Sequence, residues 1–135
     1  MSETPSDVGA TAEREVACAL VKAGWSVYVP MFAPHSRVDL VADVAGRLLR
    51  VQVKSARLVR QAVTFTCCSY TANIPKEYVG EVDVFGVYCP SLGMSYLVPI
   101  GDVPTRLCTL RLVPPRNNQV QGVRWAADYE IRPAL

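Results

Sequence analysis

The sequence predicts an α/β fold in which a mixed β-sheet packs against helices, and three observations support this prediction. Apolar residues repeat at helical spacing near the start of the chain, at Val16, Ala17, Leu20 and Val21. Short segments that alternate apolar and polar residues follow, and they are typical of strands. A strongly apolar segment over residues 82–89 is typical of a buried central strand. One helix followed by strands and then by mixed elements is an α/β order.

The helix is predicted over residues 8–24, where Gly24 provides a C-terminal stop. The residues before it, 1–7, are small and polar, and we predict that they form a disordered leader to a single domain over residues 8–135. That length suits one compact domain with its own core.

The predicted strands follow in order, separated by turn signals. Residues 45–47, Ala-Gly-Arg, are predicted to form a tight turn that joins the second and third strands as a hairpin. Residues 73–77 contain a proline and are predicted to form a turn or a short helix. Two prolines at 114 and 115 break regular structure, and residues 119–128 are predicted to form a loop and a helical turn. The predicted strands cover residues 25–30, 38–44, 48–54, 62–68, 82–89 and 95–99.

Composition limits the classes of function. The formal net charge is +2 and the pI is about 8.3, so the chain is only mildly basic. Its five cysteines include no CxxC pair, which argues against a structural zinc site. The N-terminal residues lack the basic and apolar regions of a signal peptide, and no apolar run reaches membrane-spanning length. We therefore expect a cytoplasmic protein with no membrane partner.

The most informative segment is residues 36–55, SRVDLVADVAGRLLRVQVKS. Side chains on a strand alternate between its two faces, so Val51 and Val53 are predicted to face the core while Gln52 and Lys54 share the opposite face. The turn at residues 45–47 folds this strand back beside Asp39. A carboxylate, an amide and an amine are thereby brought to one place.

This combination suits the hydrolysis of a phosphodiester, which requires a hard divalent cation such as Mg²⁺, with Mn²⁺ as a possible substitute. The candidate oxygen ligands are the Asp39 carboxylate, the Gln52 side chain and the Val53 carbonyl, and the first helix could add Glu13 or Glu15. Lys54 could stabilise charge on the phosphate. From these residues alone, a solvated strand face remains an alternative.

The same residues resemble the PD-(D/E)XK nuclease superfamily: an Asp between hydrophobic residues, a hairpin, and then Val-Gln-Val-Lys. The superfamily includes restriction enzymes, archaeal Holliday-junction resolvases and group I intron homing endonucleases. The chain is most similar to a branch in which Gln replaces the usual acid before x-Lys. Gly9, Glu13 and Gly24, the segment VDVFGVYCP and the C-terminal tail extend the similarity over nearly the whole chain.

The resemblance implies a restriction-endonuclease-like core, a mixed sheet flanked by helices, and four catalytic positions. It assigns Glu13 as the carboxylate from the N-terminal helix, Asp39 as the central metal ligand, Gln52 as the variant third ligand and Lys54 as the catalytic lysine. Val38 stands where the pattern often has proline.

Basic and polar residues form two candidate DNA-contacting segments. Five basic residues lie between positions 47 and 60 with no Asp or Glu among them, and a polar loop follows Pro115. A solvated strand edge and a plain turn explain these segments equally well. The residues predicted to contact DNA are Arg37, Arg47, Arg57, Arg60, Arg116, Asn117 and Asn118.

We therefore expect a metal-dependent DNA endonuclease, of a homing or selfish-element type. Because one active site cuts one strand, a double-strand break implies a homodimer or homotetramer. The alternatives are a catalytically silent DNA-binding or assembly module, a Holliday-junction resolvase, a defence nuclease and, last, an RNA- or nucleotide-directed hydrolase.

Overall fold

The computed structural model describes residues 3–118 and 121–133. Two short 3₁₀ turns, Ile100–Asp102 and Ala126–Tyr129, accompany one helix and a series of strands. In chain order these are α1 (Pro5–Lys22), β1 (Ser26–Tyr28), β2 (Leu40–Val44), β3 (Arg47–Ser55), β4 (Arg57–Val59), β5 (Ala62–Thr66), β6 (Cys68–Thr71), β7 (Ile74–Glu77), β8 (Val84–Cys89), β9 (Met94–Pro99) and β10 (Leu107–Arg111).

The largest sheet has five strands in the order β1-β2-β3-β8-β9. Strands β3 and β8 run parallel, with Val51 opposite Val84, and the other neighbours in this sheet are antiparallel. The mixed sheet and the helix that the sequence predicted are confirmed. None of the helices in residues 3–118 and 121–133 is long and apolar enough to cross a membrane.

Two apolar clusters lie on opposite faces of this sheet. On one face, Val16 and Leu20 of α1 pack against Val51 and Val84. On the other face, side chains of β8 and β9 pack against those of β5 and β10, which pair with each other in a separate sheet with β4. A second sheet, rather than further helices, therefore covers the face opposite α1 in the part of the chain that the structure describes.

The helix begins at Pro5, earlier than predicted, so residues 5–7 of the expected leader belong to α1. Thr4 and Asp7 form a capping box: the Thr4 hydroxyl accepts the Asp7 N–H at 3.1 Å, and the Asp7 carboxylate accepts the Thr4 N–H at 3.0 Å. Asp7 also lies in the first turn, where negative charge stabilises a helix. Met1 and Ser2 lie outside the described residues.

The predicted turn begins correctly at Asn73, but residues 74–77 form a strand, because β6 and β7 pair there as a two-stranded hairpin. Its turn consists of Ala72 and Asn73, which both have positive φ. Pro75 is tolerated because a proline can occupy an edge strand. In the tail, residues 126–129 form a helical turn as predicted, while residues 119 and 120 of the predicted loop lie outside the described residues.

Gly86 of β8 lets α1 lie close to the sheet. A Cβ at this position would come within 2.7 Å of Val16 Cγ1 and 3.0 Å of Val51 Cγ1. Contacts that short require the helix or the neighbouring strand to move.

We predict that Gly86→Ala lowers the free energy of unfolding by about 1–3 kcal/mol, because a methyl group is forced into a filled core. Urea denaturation measures this loss. Gly9→Ala is the matched control, since Gly9 lies in α1 with no atom within 4 Å of the added Cβ. That variant should be as stable as the wild type or more stable by up to about 1 kcal/mol. Equal stability of Gly86→Ala and wild type would contradict the close packing.

Candidate active site

The site lies where β2 and β3 stop pairing. The last paired residues are Leu40 and Val51, and Asp39 precedes β2 directly rather than lying within it. The N–H of Asp39 donates to the Val51 carbonyl at 2.8 Å. Beyond this point the Asp39 carboxylate accepts the N–H of Val53 at 2.8 Å. A side chain thus takes the place of a strand carbonyl, and the Asp39 carboxylate is held beside β3.

The packing of α1 brings a second carboxyl group to the same place. Ala12 and Val16 are buried against the sheet, while the intervening Glu13 remains accessible to solvent. Its carboxyl lies within hydrogen-bonding reach of the Asp39 carboxyl. Glu15, the competing candidate, lines a different cavity with Cys18 and Lys22. The helix therefore directs Glu13, and not Glu15, toward Asp39.

Both carboxyl groups have raised pKa values. Partial burial raises the pKa of Glu13, and the charge of Asp39 and a hydrogen bond to it raise that pKa further. Burial also raises the pKa of Asp39, and this effect outweighs the Val53 N–H, the Glu13 hydrogen bond and the charge of Lys54, which all lower it. A hydrogen bond between two carboxyl groups requires a proton on one of them. The pair therefore resists full ionisation.

Gln52 and Lys54 lie on the face of β3 opposite Val51 and Val53, as the sequence predicted. The Gln52 amide Nε2 donates to the Val53 carbonyl at 3.2 Å. Rotation of the Gln52 amide by half a turn would place its oxygen where Nε2 now lies, beside the Val53 carbonyl. The Lys54 Nζ donates to the hydroxyl of Tyr78 at 3.1 Å.

These groups are chemically suited to a hard divalent cation. Two carboxylates, a backbone carbonyl and an amide oxygen are the ligand types that Mg²⁺ and Mn²⁺ accept. A divalent cation would also offset the burial that raises the pKa values of Glu13 and Asp39 and the charge of Asp39 that raises the pKa of Glu13 further. Within the described ranges no three His, Cys, Asp or Glu side chains form a metal cluster. A metal here would therefore need the neutral oxygens of Gln52 and Val53.

The sequence and the fold both have counterparts among known proteins. A model of the PD-(D/E)XK endonuclease family matches residues 4–132. The chain belongs to the PD-(D/E)XK endonuclease family. The solved structure of a bacterial homing endonuclease, I-Ssp6803I, has a similar fold, with a TM-score of 0.72 and 23% sequence identity over 95% of this chain and 89% of that chain. No curated protein matches the sequence.

Arg37, one of the residues predicted to contact DNA in this endonuclease, forms its hydrogen bonds within the fold. The Arg37 guanidinium donates to Ser69 Oγ at 2.7 Å and to the carbonyls of Lys76 and Glu77 at 3.1 Å and 2.5 Å. It also pairs with Glu81. Only 15% of the Arg37 side chain is exposed. These contacts occupy the Arg37 guanidinium within the fold, and a contact between Arg37 and DNA stays a prediction.

The other predicted basic contacts are exposed and form no ion pair within residues 3–118 and 121–133: Arg47, Arg57, Arg60 and Arg116. Arg60 and Arg116 line one cavity of about 600 Å³ together with Arg111. None of the described residues that line this cavity is acidic. Asn117 and Asn118 are exposed beside it, and the positive φ of Asn118 favours the turn interpretation for that residue.

Tyr78 is the site residue that the sequence did not indicate. It follows the β6–β7 hairpin, 24 positions after Lys54, and no periodicity or motif links the two. Its ring is 5% exposed and contacts Phe85 edge-on, with 5.4 Å between ring centroids.

The raised pKa values predict how stability depends on pH without metal. A carboxyl group whose pKa is raised on folding favours the native state at low pH, and this contribution is lost as the pH rises through the raised pKa. We expect Asp39→Asn to gain stability relative to wild type as the pH rises above about 4, because the variant removes the cost of burying the ionised Asp39 carboxylate and its repulsion of Glu13. Asparagine retains an oxygen that can accept the Val53 N–H.

Urea denaturation between pH 4 and 7.5 in the presence of EDTA measures this difference. Glu15→Gln is the control, because Glu15 lies in the same helix but lines a different cavity with Cys18 and Lys22. A pH-independent difference between Asp39→Asn and wild type would contradict the raised pKa of Asp39.

Proposed function

We propose that this endonuclease is a metal-dependent enzyme that hydrolyses phosphodiester bonds of DNA, with Glu13, Asp39, Gln52 and Val53 holding Mg²⁺ or Mn²⁺ and Lys54 acting on the phosphate. The convergence of Glu13, Asp39 and Lys54 is the observation that carries this proposal. It joins two carboxyl groups with raised pKa values to an ammonium group that donates to a neutral hydroxyl.

Each residue has a distinct part in the proposed reaction. A divalent cation bound here supplies Lewis-acid polarisation of the phosphate and activates a water molecule. Glu13 and Asp39 supply the charge that holds the cation, while Gln52 and Val53 supply neutral oxygens. Lys54 donates hydrogen bonds to the phosphate oxygens, where negative charge increases in the transition state.

The proposed DNA surface extends from the active site over the exposed arginines. Arg57 is the first residue of β4, which begins two positions after the end of β3, and Arg60 occupies the turn between β4 and β5. Arg60, Arg111 and Arg116 line one cavity whose described lining contains no acidic residue, which suits a DNA phosphate. Asn117 and Asn118 lie beside it and could contact a base edge or the backbone.

We further propose a homing-type biological role and a homodimer or homotetramer as the active form. The fold similarity to I-Ssp6803I, described as a homing endonuclease, supports the first. The need for two active sites in a double-strand break supports the second. The principal alternative is a silent DNA-binding module, which the neutral Gln52 keeps open.

A DNA-cleavage assay tests the catalytic proposal. Supercoiled plasmid and a randomised duplex library are incubated with protein in Mg²⁺, Mn²⁺ or EDTA. We expect cleavage with either metal ion and none with EDTA. Lys54→Met should lower the single-turnover rate by about 100- to 1,000-fold, because a charged group that stabilises the transition state is lost.

Glu13→Gln and Glu15→Gln form a matched pair for the metal site. Glu13→Gln should reduce cleavage and raise the Mg²⁺ concentration needed for half-maximal rate, while Glu15→Gln should behave as wild type. Metal-independent DNA binding without cleavage of any library member would favour the silent module. Equal losses in both glutamate variants would contradict the assignment of Glu13.

The salt dependence of DNA binding tests the proposed surface. Each phosphate contact contributes close to one unit to the slope of log K against log salt concentration. We expect Arg60→Ala and Arg116→Ala each to lower this slope by about 1. Arg132→Ala is the control, because Arg132 is paired with Glu130 in the C-terminal segment. An unchanged slope for both cavity variants would exclude this surface from the DNA interface.

A further inference from the structure

We propose that Tyr78 is a positioning residue for Lys54, and that Arg37 in turn fixes the Tyr78 ring. The effect of Tyr78 on catalysis rests on the proposed nuclease function. The ordering of the Lys54 side chain does not, because it can be measured without any DNA cleavage.

The contact between Lys54 and Tyr78 holds the lysine without neutralising it. Lys54 Nζ donates to the Tyr78 hydroxyl at 3.1 Å and lies 4.9 Å from the centre of the ring. No carboxylate pairs with Lys54 within 4.0 Å in the part of the chain that the structure describes. A neutral acceptor leaves the positive charge available to a phosphate, whereas a carboxylate would cancel much of it.

A lysine needs such a partner because its stem has four rotatable bonds. An unrestrained ammonium group samples many positions, and rate falls steeply when a catalytic group is displaced by even about 1 Å. The tyrosine hydroxyl is suited to restrain it because the phenol ring is rigid and has only two side-chain torsions.

Tyr78 is itself fixed on two sides. Phe85 packs against it edge-on at an interplanar angle of 85°. The Arg37 guanidinium lies over its face, 3.5 Å from the ring centroid. A hydroxyl carried by this ring has little freedom to move, so it can serve as a fixed point for Lys54.

Arg37 connects this fixed point to the rest of the site. Its guanidinium donates to groups on β6 and β7 and pairs with Glu81, so four of its hydrogen bonds are made within the fold. Arg37 lies two residues before Asp39 in the same segment. A single side chain thereby anchors the segment that carries Asp39 and the ring that holds Lys54.

Nuclear magnetic resonance of selectively ¹³C-labelled lysine tests the restraint directly. The chain has three lysines, Lys22, Lys54 and Lys76, and Lys22 and Lys76 are exposed. We expect two separate Hε signals and a high side-chain order parameter for Lys54 in the wild type, because a fixed side chain places its two Hε protons in different environments. Lys22 and Lys76 should each give a single averaged signal.

Tyr78→Phe removes only the hydroxyl and retains the ring, its packing and the Arg37 contact. The Lys54 Hε signals should then merge and the order parameter should fall to that of Lys76. Tyr129→Phe is the matched control, because it also removes one hydroxyl hydrogen bond, the 3.0 Å contact with Asp102. That control should leave the Lys54 signals unchanged.

The cleavage assay gives the functional arm of the same test. Tyr78→Phe should lower the single-turnover rate by about 10- to 100-fold, as expected for a group that orients another, with DNA affinity unchanged. In a Lys54→Met background, Tyr78→Phe should cause no further loss.

The outcomes separate this inference from the proposed function. A wild-type Lys54 as mobile as Lys76, or an ordered Lys54 in folded Tyr78→Phe, would overturn the positioning role. The wild-type spectrum decides the first of these even if the variant fails to fold. Loss of Lys54 order in Tyr78→Phe, together with no cleavage of any DNA by the wild type, would support the restraint while rejecting the nuclease proposal.

Discussion

The close packing of α1 on the sheet at Gly86 is the constraint on which the site depends. Val16 lies over Gly86, and with Leu20 it is fully buried. Burial of each such side chain contributes about 1.5–3 kcal/mol. This apolar contact holds Glu13 against Asp39 even though both carboxyl groups resist ionisation there. The hydrophobic effect thus offsets the electrostatic cost of holding two carboxyl groups side by side, as is usual where function competes with stability.

Asp39 serves the fold and the chemistry with the same carboxylate. Its Oδ2 accepts the Val53 N–H at the point where β2 leaves β3, so it satisfies a backbone donor that would otherwise lack a strand partner. The same oxygens face Glu13 and the positive charge of Lys54. A change to alanine would therefore remove a structural hydrogen bond together with the negative charge, whereas asparagine removes the charge and keeps an oxygen that can accept the hydrogen bond.

Local sequence patterns were sufficient to predict the structure of the segments nearest the site. They were insufficient to predict contacts between segments that are distant in the sequence. Alternation of polar and apolar residues placed Gln52 and Lys54 on one strand face, because that periodicity is a property of the strand itself. The family resemblance selected Glu13 over Glu15, and the structure brings Glu13 to Asp39. The β6–β7 hairpin was not predicted, because a proline such as Pro75 usually interrupts a strand. The contact of Arg37 with DNA was predicted from its charge alone. Its hydrogen bonds within the fold could not be predicted, because the partners lie 32 to 44 positions away in the sequence.

The neutral Gln52 has a consistent electrostatic explanation within the proposed function. With both carboxylates ionised, Glu13 and Asp39 contribute two negative charges and Lys54 one positive charge, so one negative charge remains. A divalent cation reverses this to one positive charge, which attracts the single negative charge of a phosphodiester. An acid at position 52 would reduce the sum to zero. Glutamine therefore weakens the hold on the metal ion while it leaves a net attraction for the substrate, and this balance is compatible with an active enzyme.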